Sequence, residues 1–260
     1  MRIDFSPPRV TPRFFQVWRR NLLVWRKLMV PSLLGNLADP TLYMLGFGFG
    51  IGALMPDVDG VRYITFLAAG TLCYATMNSA TFEALYSAFS RMQVQRTWES
   101  IMNAPVGLDD IVFAETMWAA TKSVLSGIAI LLLIWVLGLS HSALTLWLIP
   151  LMLLAGVTFS AMAMVMTALA RSYDFFMYYF SLLVTPMVLL SGVFYPRSAL
   201  PPLLQDIGAV LPLSHAIELA RPLVYGQVPE AALLHVAVLA AYAVGGFFLS
   251  VVLVRRRLLA

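Results

Sequence analysis

The sequence predicts an all-α membrane protein with six spanning helices, an amphipathic helix at the N-terminus and an external re-entrant hairpin between spans five and six. Three observations carry that expectation. Hydrophobic residues make up 60% of the chain and charged residues only 12%, more apolar surface than one soluble core of this length can hide. Several uncharged runs, such as the one from Phe175 to Phe194, reach the ~30 Å of a bilayer core at 1.5 Å rise per residue. Basic residues cluster beside those runs, at both ends of the chain, where they set membrane orientation better than they mark a nucleic-acid partner.

In order, residues 1–29 form a proline-marked basic arm with no cleavable signal peptide expected. Between Val10 and Met29 the basic residues Arg13, Arg20 and Lys27 line one side of a helix, and Phe14, Trp18, Leu22, Trp25 and Met29 the other. That pattern predicts a helix in the headgroup plane, or a docking surface for a cytosolic partner. The first span covers about 33–54. Its Gly46/Gly50 and Gly48/Gly52 pairs have the spacing for close helix approach, and Asp39-Pro40 is expected where the chain enters the membrane. Pro56, Asp57, Asp59 and Gly60 predict a polar turn, followed by a second span over 63–89 that carries Glu83 near its far end. The connection from Ser90 to Asp110 contains a short amphipathic helix around Trp98, Ile101 and Met102, stopped by Pro105 and Gly107. Such a helix can transmit a push between long spans or simply cover the membrane surface.

The third span, 111–139, places Glu115 and Lys122 on nearly one face. A lysine at mid-helix costs about 2.5–3.5 kcal/mol on insertion scales and therefore turns to protein or water. Pairing with Glu115 or Glu83 is the structural reading, a polar contact to substrate the functional one. Spans over 144–170, 175–195 and 231–254 follow, with residues 196–226 as the hairpin, cut by Pro196, Pro201, Pro202, Pro212 and Pro222. Six spans put both termini on one side, and the basic arm and the Arg255–Arg257 triplet make that side cytoplasmic. Arg62, Arg197 and Arg221 fall on the other.

Several chemistries are excluded. Lys27 and Lys122 are preceded by Arg26 and Thr121, so no phosphate loop can form and the chain cannot hydrolyse ATP alone. One cysteine and three scattered histidines offer no zinc site. A serine-hydrolase elbow is missing. Neither a catalytic residue nor a metal or cofactor is expected. His215 and Glu218, one turn apart after Ser214 as a possible N-cap, offer a weak dyad to the competing idea, a membrane-embedded enzyme acting on lipid-linked sugars at the outer face.

The motifs Leu190-Ser191-Gly192-Val193-Phe194-Tyr195-Pro196, Leu211-Pro212-Leu213-Ser214-His215 and Arg221-Pro222-Leu223 resemble the hairpin signature of ABC-2 type permeases. Thr97-Trp98-Glu99, Gly107 to Ile111, Glu115 and Ala119 to Lys122 further resemble the nodulation protein J subgroup. The resemblance spans nearly the whole chain, 1–260, as a single transmembrane domain. It implies an exporter of an amphipathic lipid, lipo-oligosaccharide, polysaccharide or drug-like cargo in a bacterial inner membrane. Two copies of the chain would pair with two separate ATP-binding subunits that carry Mg-ATP, with no nucleic acid involved. By the same resemblance Arg96, Thr97, Trp98, Glu99 and Ser100 would couple to the ATPase. Glu83, Glu115 and Lys122 are the intramembrane polar residues, and Phe176, Tyr179, Phe194 and His215 the candidates for a substrate path.

Overall fold

The computed structural model describes residues 5–55, 57–58 and 60–259. Residues 1–4 of the arm, and Pro56 and Asp59 of the expected turn, lie outside the described residues. Helix α1 (Phe14–Arg26) leads into α2 (Met29–Gly50). A two-residue antiparallel ribbon, Asp57–Val58 with Val61–Arg62, then reverses the chain where the sequence suggested only a turn. Helix α3 (Tyr63–Phe82) continues without a break through two π-helical stretches, Glu83–Ser87 and Ser90–Val94. A short α4 (Thr97–Met102) and the long α5 (Leu108–Val136) follow. A 3₁₀ turn at Ala143–Trp147 opens α6 (Leu148–Leu169). Next come α7 (Phe175–Tyr179), a π-helical stretch Phe180–Val184 and α8 (Thr185–Leu190). The chain closes with α9 (Pro202–Val210), α10 (Pro212–Tyr225) and α11 (Ala232–Leu258).

Among the described residues three helices are long and apolar enough to cross a bilayer by length and composition: Leu108–Val136, Ala143–Leu169 and Ala232–Leu258. The pair α9 and α10, bent by 87°, makes a fourth if counted as one broken span. The other expected spans fall short for identifiable reasons. Helix α2 contains Asn36 and Asp39 as well as Pro40, which sits in the helix interior and not at its end as expected. Helix α3 mixes Thr65, Thr71, Thr76, Asn78, Ser79 and Thr81 into its apolar run, and it can do so because α2, α5, α6 and α10 enclose it. Helices α7 and α8 form a shorter apolar rod, Phe175–Leu190.

The core sits between α3, α5 and α6, and α11 packs along α6. Close approach depends on small residues. A Cβ on Gly156 of α6 would press on Ser123 Oγ and on the Ala120 backbone of α5. Gly48 faces Ile64 in the same way, whereas Gly46 and Gly50 look onto open space, so only part of the glycine stripe packs within the chain. In the hairpin, Pro202 and Pro212 each occupy the first turn of a helix, where a missing N–H costs nothing. Pro222 lies inside α10 and does not divide it. Ser214 is not an N-cap: its hydroxyl donates to Gly208 O at 2.5 Å.

Helix α1 is amphipathic as expected, but its aromatic stripe faces protein. Phe14 meets Phe113 edge-on at 4.8 Å, and Trp25 meets Trp118 at 5.8 Å. Trp18 Nε1 donates to Thr121 Oγ1 at 3.0 Å. The apolar side chains it leaves exposed are Phe15, Leu23 and Val24, followed by Leu28 in the turn to α2.

Candidate functional site

The end of α3 and the facing turns of α5 bring the ionisable residues of the interior together. In an ideal α-helix residues 83 and 91 stand about 80° apart. The widened π turns remove that offset, so Glu83, Ser87 and Arg91 align; π turns recur at functional sites in other helices. Across from them Glu115, Trp118 and Lys122 share one face of α5. Arg91 Nη2 lies 2.9 Å from Glu83 Oε1, and Arg91 binds both oxygens of Glu115, with Nε to Oε1 at 2.9 Å and Nη2 to Oε2 at 2.5 Å. Lys122 Nζ donates to Glu83 Oε2 at 2.8 Å. Ser87 Oγ and Trp118 Nε1 also donate to Glu83, both at 2.9 Å. Two carboxylates thus meet two cations, which is how charge is tolerated when Glu83 is 4% and Glu115 1% exposed.

Helix α4 is fastened to this cluster. Arg96 adopts left-handed backbone geometry with φ of 50°, a strained turn for a residue with a side chain. That turn folds the chain back so that Trp98, fully buried, donates Nε1 to Glu115 Oε1 at 3.1 Å. Of the residues expected to couple to a partner, Arg96, Glu99 and Ser100 are exposed and Thr97 half-buried. Trp98 cannot touch a partner directly; it ties α4 to the α3–α5 network.

A second ionic strap joins the two ends of the chain. Arg255 Nε donates to Asp109 Oδ1 at 2.8 Å, and Arg255 Nη1 to Ser6 O at 2.9 Å. Asp109 also accepts the Arg9 N–H at 2.7 Å, and Asp110 the Thr11 N–H at 2.6 Å. Both carboxylates lie in the first turn of α5, where the helix dipole favours negative charge.

The four residues proposed for a substrate path are not assembled into one wall. Phe176 is fully buried among Tyr86, Phe89 and Tyr173. Tyr179 lines an open apolar groove of about 480 Å³ between α6 and α11. Phe194 packs edge-on against Tyr43 and Phe47 of α2, and its carbonyl accepts from the Tyr63 hydroxyl at 2.9 Å. His215 pairs with His235 of α11, Nδ1 to Nδ1 at 2.8 Å, while Glu218 reaches Arg197 at 3.6 Å. The His215/Glu218 dyad required by the enzyme reading is therefore not formed. No group of three or more histidine, cysteine or acidic residues able to hold a metal occurs among the described residues.

Sequence reasoning found Glu83, Glu115 and Lys122 but missed Arg91 at their centre, having assigned it to a polar loop. The signal was partial: continuing the α3 helix two residues past Phe89 brings Arg91 two turns from Glu83, but an ideal helix leaves it about 80° round, and the π turns that close the gap are not written in the sequence pattern.

Comparison with known proteins decides the family. Residues 12–225 match the family model described as ABC-2 type transporter. The chain belongs to the ABC-2 type transporter family. Among its relatives, Nodulation protein J of Bradyrhizobium diazoefficiens is 49% identical over 243 residues, covering 94% of this chain and 93% of the relative. Nodulation protein J of Rhizobium leguminosarum bv. viciae is 46% identical, covering 94% of each. The inner membrane transport permease YadH of Escherichia coli is 26% identical over 207 residues, covering 77% of this chain and 78% of that protein. Family and relatives mark this ABC-2 chain as a transporter subunit in a bacterial membrane rather than an enzyme.

Proposed function

We propose that the chain is the permease subunit of an ATP-driven exporter, moving an amphipathic cargo outward across the bacterial inner membrane. The observation that carries this reading is the tie between exposed α4 and the buried ionic network. A push on Glu99 or Ser100 is relayed by Trp98 to Glu115, and from there through Arg91 and Lys122 to α3 and α5 together. That is a suitable input for a motor protein in a chain that has no phosphate loop of its own.

In this layout α2, α3, α5, α6, the α7–α8 rod and α11 cross the membrane, and both termini are cytoplasmic. The bent pair α9 and α10 is a re-entrant hairpin at the outer face. Backbone at that depth must be shielded by protein, and α10 packs against α3, α6 and α11. Two copies of the chain and two ATP-binding subunits, which hold Mg-ATP, complete the transporter. The relatives named Nodulation protein J favour a lipo-oligosaccharide among the amphipathic cargoes, beside lipid, polysaccharide and drug-like molecules.

Affinity purification of the C-terminally tagged chain from its native membrane tests this reading. The expected result is a stoichiometric partner bearing a phosphate loop. Recovery of the chain alone from membranes that contain such ATPases would overturn it.

A further inference from the structure

A cavity of about 230 Å³ lies beneath α1, bounded by the start of α2, the π-helical end of α3, and α5. Arg20, Asn21, Trp25, Glu83, Arg91 and Lys122 line it. Glu83 and Glu115 neutralise Arg91 and Lys122. That leaves Arg20, whose hydrogen bond is to Asn21 Oδ1 at 3.0 Å and which has no carboxylate within ion-pair distance among the described residues. Burial, and then the nearby Arg91 charge, lower the Arg20 pKa from its ordinary value, with Glu115 opposing them only in part.

Asn21 points the same way. Its side chain is 3% exposed, and Nδ2 is buried with no hydrogen-bond partner among the described residues. An orphaned buried donor is costly and calls for an acceptor. Arg91, whose Nε and Nη2 hold the two carboxylates, also lines the cavity. The site thus offers donors and excess positive charge to a group that accepts only. Next to it, Leu23 is 52%, Val24 53% and Leu28 61% exposed, an apolar flank that suits hydrocarbon.

We propose that this cavity binds the phosphate headgroup of an anionic phospholipid, whose acyl chains lie against Leu23, Val24 and Leu28. The phosphate accepts hydrogen bonds from Arg20, Asn21 and Arg91, with its negative charge balancing Arg20. A lipid so placed wedges α1 against the Glu83–Arg91–Glu115 network and links the membrane surface to the cluster that holds α4. The choice of a bilayer lipid rests on the reading that α1 lies at the cytoplasmic membrane surface.

Native mass spectrometry of the full chain in detergent tests the proposal, with phosphatidylglycerol, phosphatidylcholine and diacylglycerol of identical acyl chains as probes and glycerol 3-phosphate as a tail-less control. Phosphatidylglycerol is expected to be retained preferentially and diacylglycerol not at all. Arg20→Gln should weaken phosphatidylglycerol by about tenfold, the loss of one charge-assisted contact, while Arg20→Lys keeps most of it. Asn21→Asp, nearly isosteric, places a carboxylate in the cavity and should abolish retention without unfolding the chain, as judged by an unchanged elution profile.

Equal retention of phosphatidylglycerol by wild type, Arg20→Gln and Asn21→Asp would overturn the site, as would equal binding of diacylglycerol. Glycerol 3-phosphate binding as tightly as the lipid would show that a free phosphate, not a lipid, is the occupant. The measurement uses the chain without an ATPase, so its failure leaves the exporter reading standing, and failure of the exporter reading leaves the lipid result intact.

Discussion

Replacing Arg91 by leucine is the most informative single perturbation of the interior. Arg91 bonds to both Glu83 and Glu115. Without it Glu83 keeps Lys122, Ser87 and Trp118, but Glu115 keeps, among the described residues, only the Trp98 indole. Removing one partner from a buried ion pair costs about 3–5 kcal/mol. At about 1.4 kcal/mol per decade, the folded-to-unfolded ratio then falls by roughly two to three and a half orders of magnitude. Adding Glu115→Gln removes the stranded charge while preserving an acceptor for Trp98. The double variant should therefore recover about 2 kcal/mol relative to the sum of the singles, within the coupling range of groups in one network. Reversible denaturation in mixed detergent micelles, followed by tryptophan fluorescence, measures all four corners of the cycle. An Arg91→Leu cost below about 1 kcal/mol, the size of an exposed pair, or strict additivity with Glu115→Gln, would refute the idea that this network holds α3 to α5.

Other substitutions examine separate joints. Trp98→Phe keeps most of the packing but loses the bond to Glu115, for a cost of about 1.5–3 kcal/mol; thermal retention of the solubilised chain reads it, and no change would mean α4 is held by packing alone. Asp109→Asn removes the charge that Arg255 grips, so limited trypsin digestion should cut faster at Arg9 and Arg13, with unchanged cleavage showing that the arm is held otherwise. Gly156→Ile must push α6 away from Ser123 and Ala120, at about 1–3 kcal/mol, detectable as a lowered melting temperature; normal stability would mean this contact is looser than the structure has it.

Long periodic segments were the most legible part of the sequence. Helices α5, α6 and α11 fall within a few residues of the expected spans because uninterrupted apolar runs leave little choice. The α3 helix was harder: its polar stripe depends on the neighbouring helices α2, α5, α6 and α10, and the π turns that bring Arg91 level with Glu83 have no local sequence signature. Glu83, Glu115 and Lys122 stood out because charges in apolar runs require partners, though the geometry that unites them was not visible. The α1 stripe misled for a related reason. Phe14, Trp18 and Trp25 suit a bilayer surface as well as they suit Phe113 and Trp118, and amphipathicity alone does not say which surface covers an apolar face. His215 was set beside Glu218 by sequence proximity, whereas the fold gives it His235, twenty residues further along.

Transmission through α4 is put to the test by magnesium-dependent ATP hydrolysis of the complex of this chain with its ATP-binding partner, compared between the intact chain and Glu99→Ala. Glu99 is exposed on α4 and makes no ion pair among the described residues, so the substitution should leave stability within about 0.5 kcal/mol. The complex should still form while hydrolysis drops or loses its response to cargo. Hydrolysis unchanged by Glu99→Ala, with cargo still exported, would contradict transmission through α4.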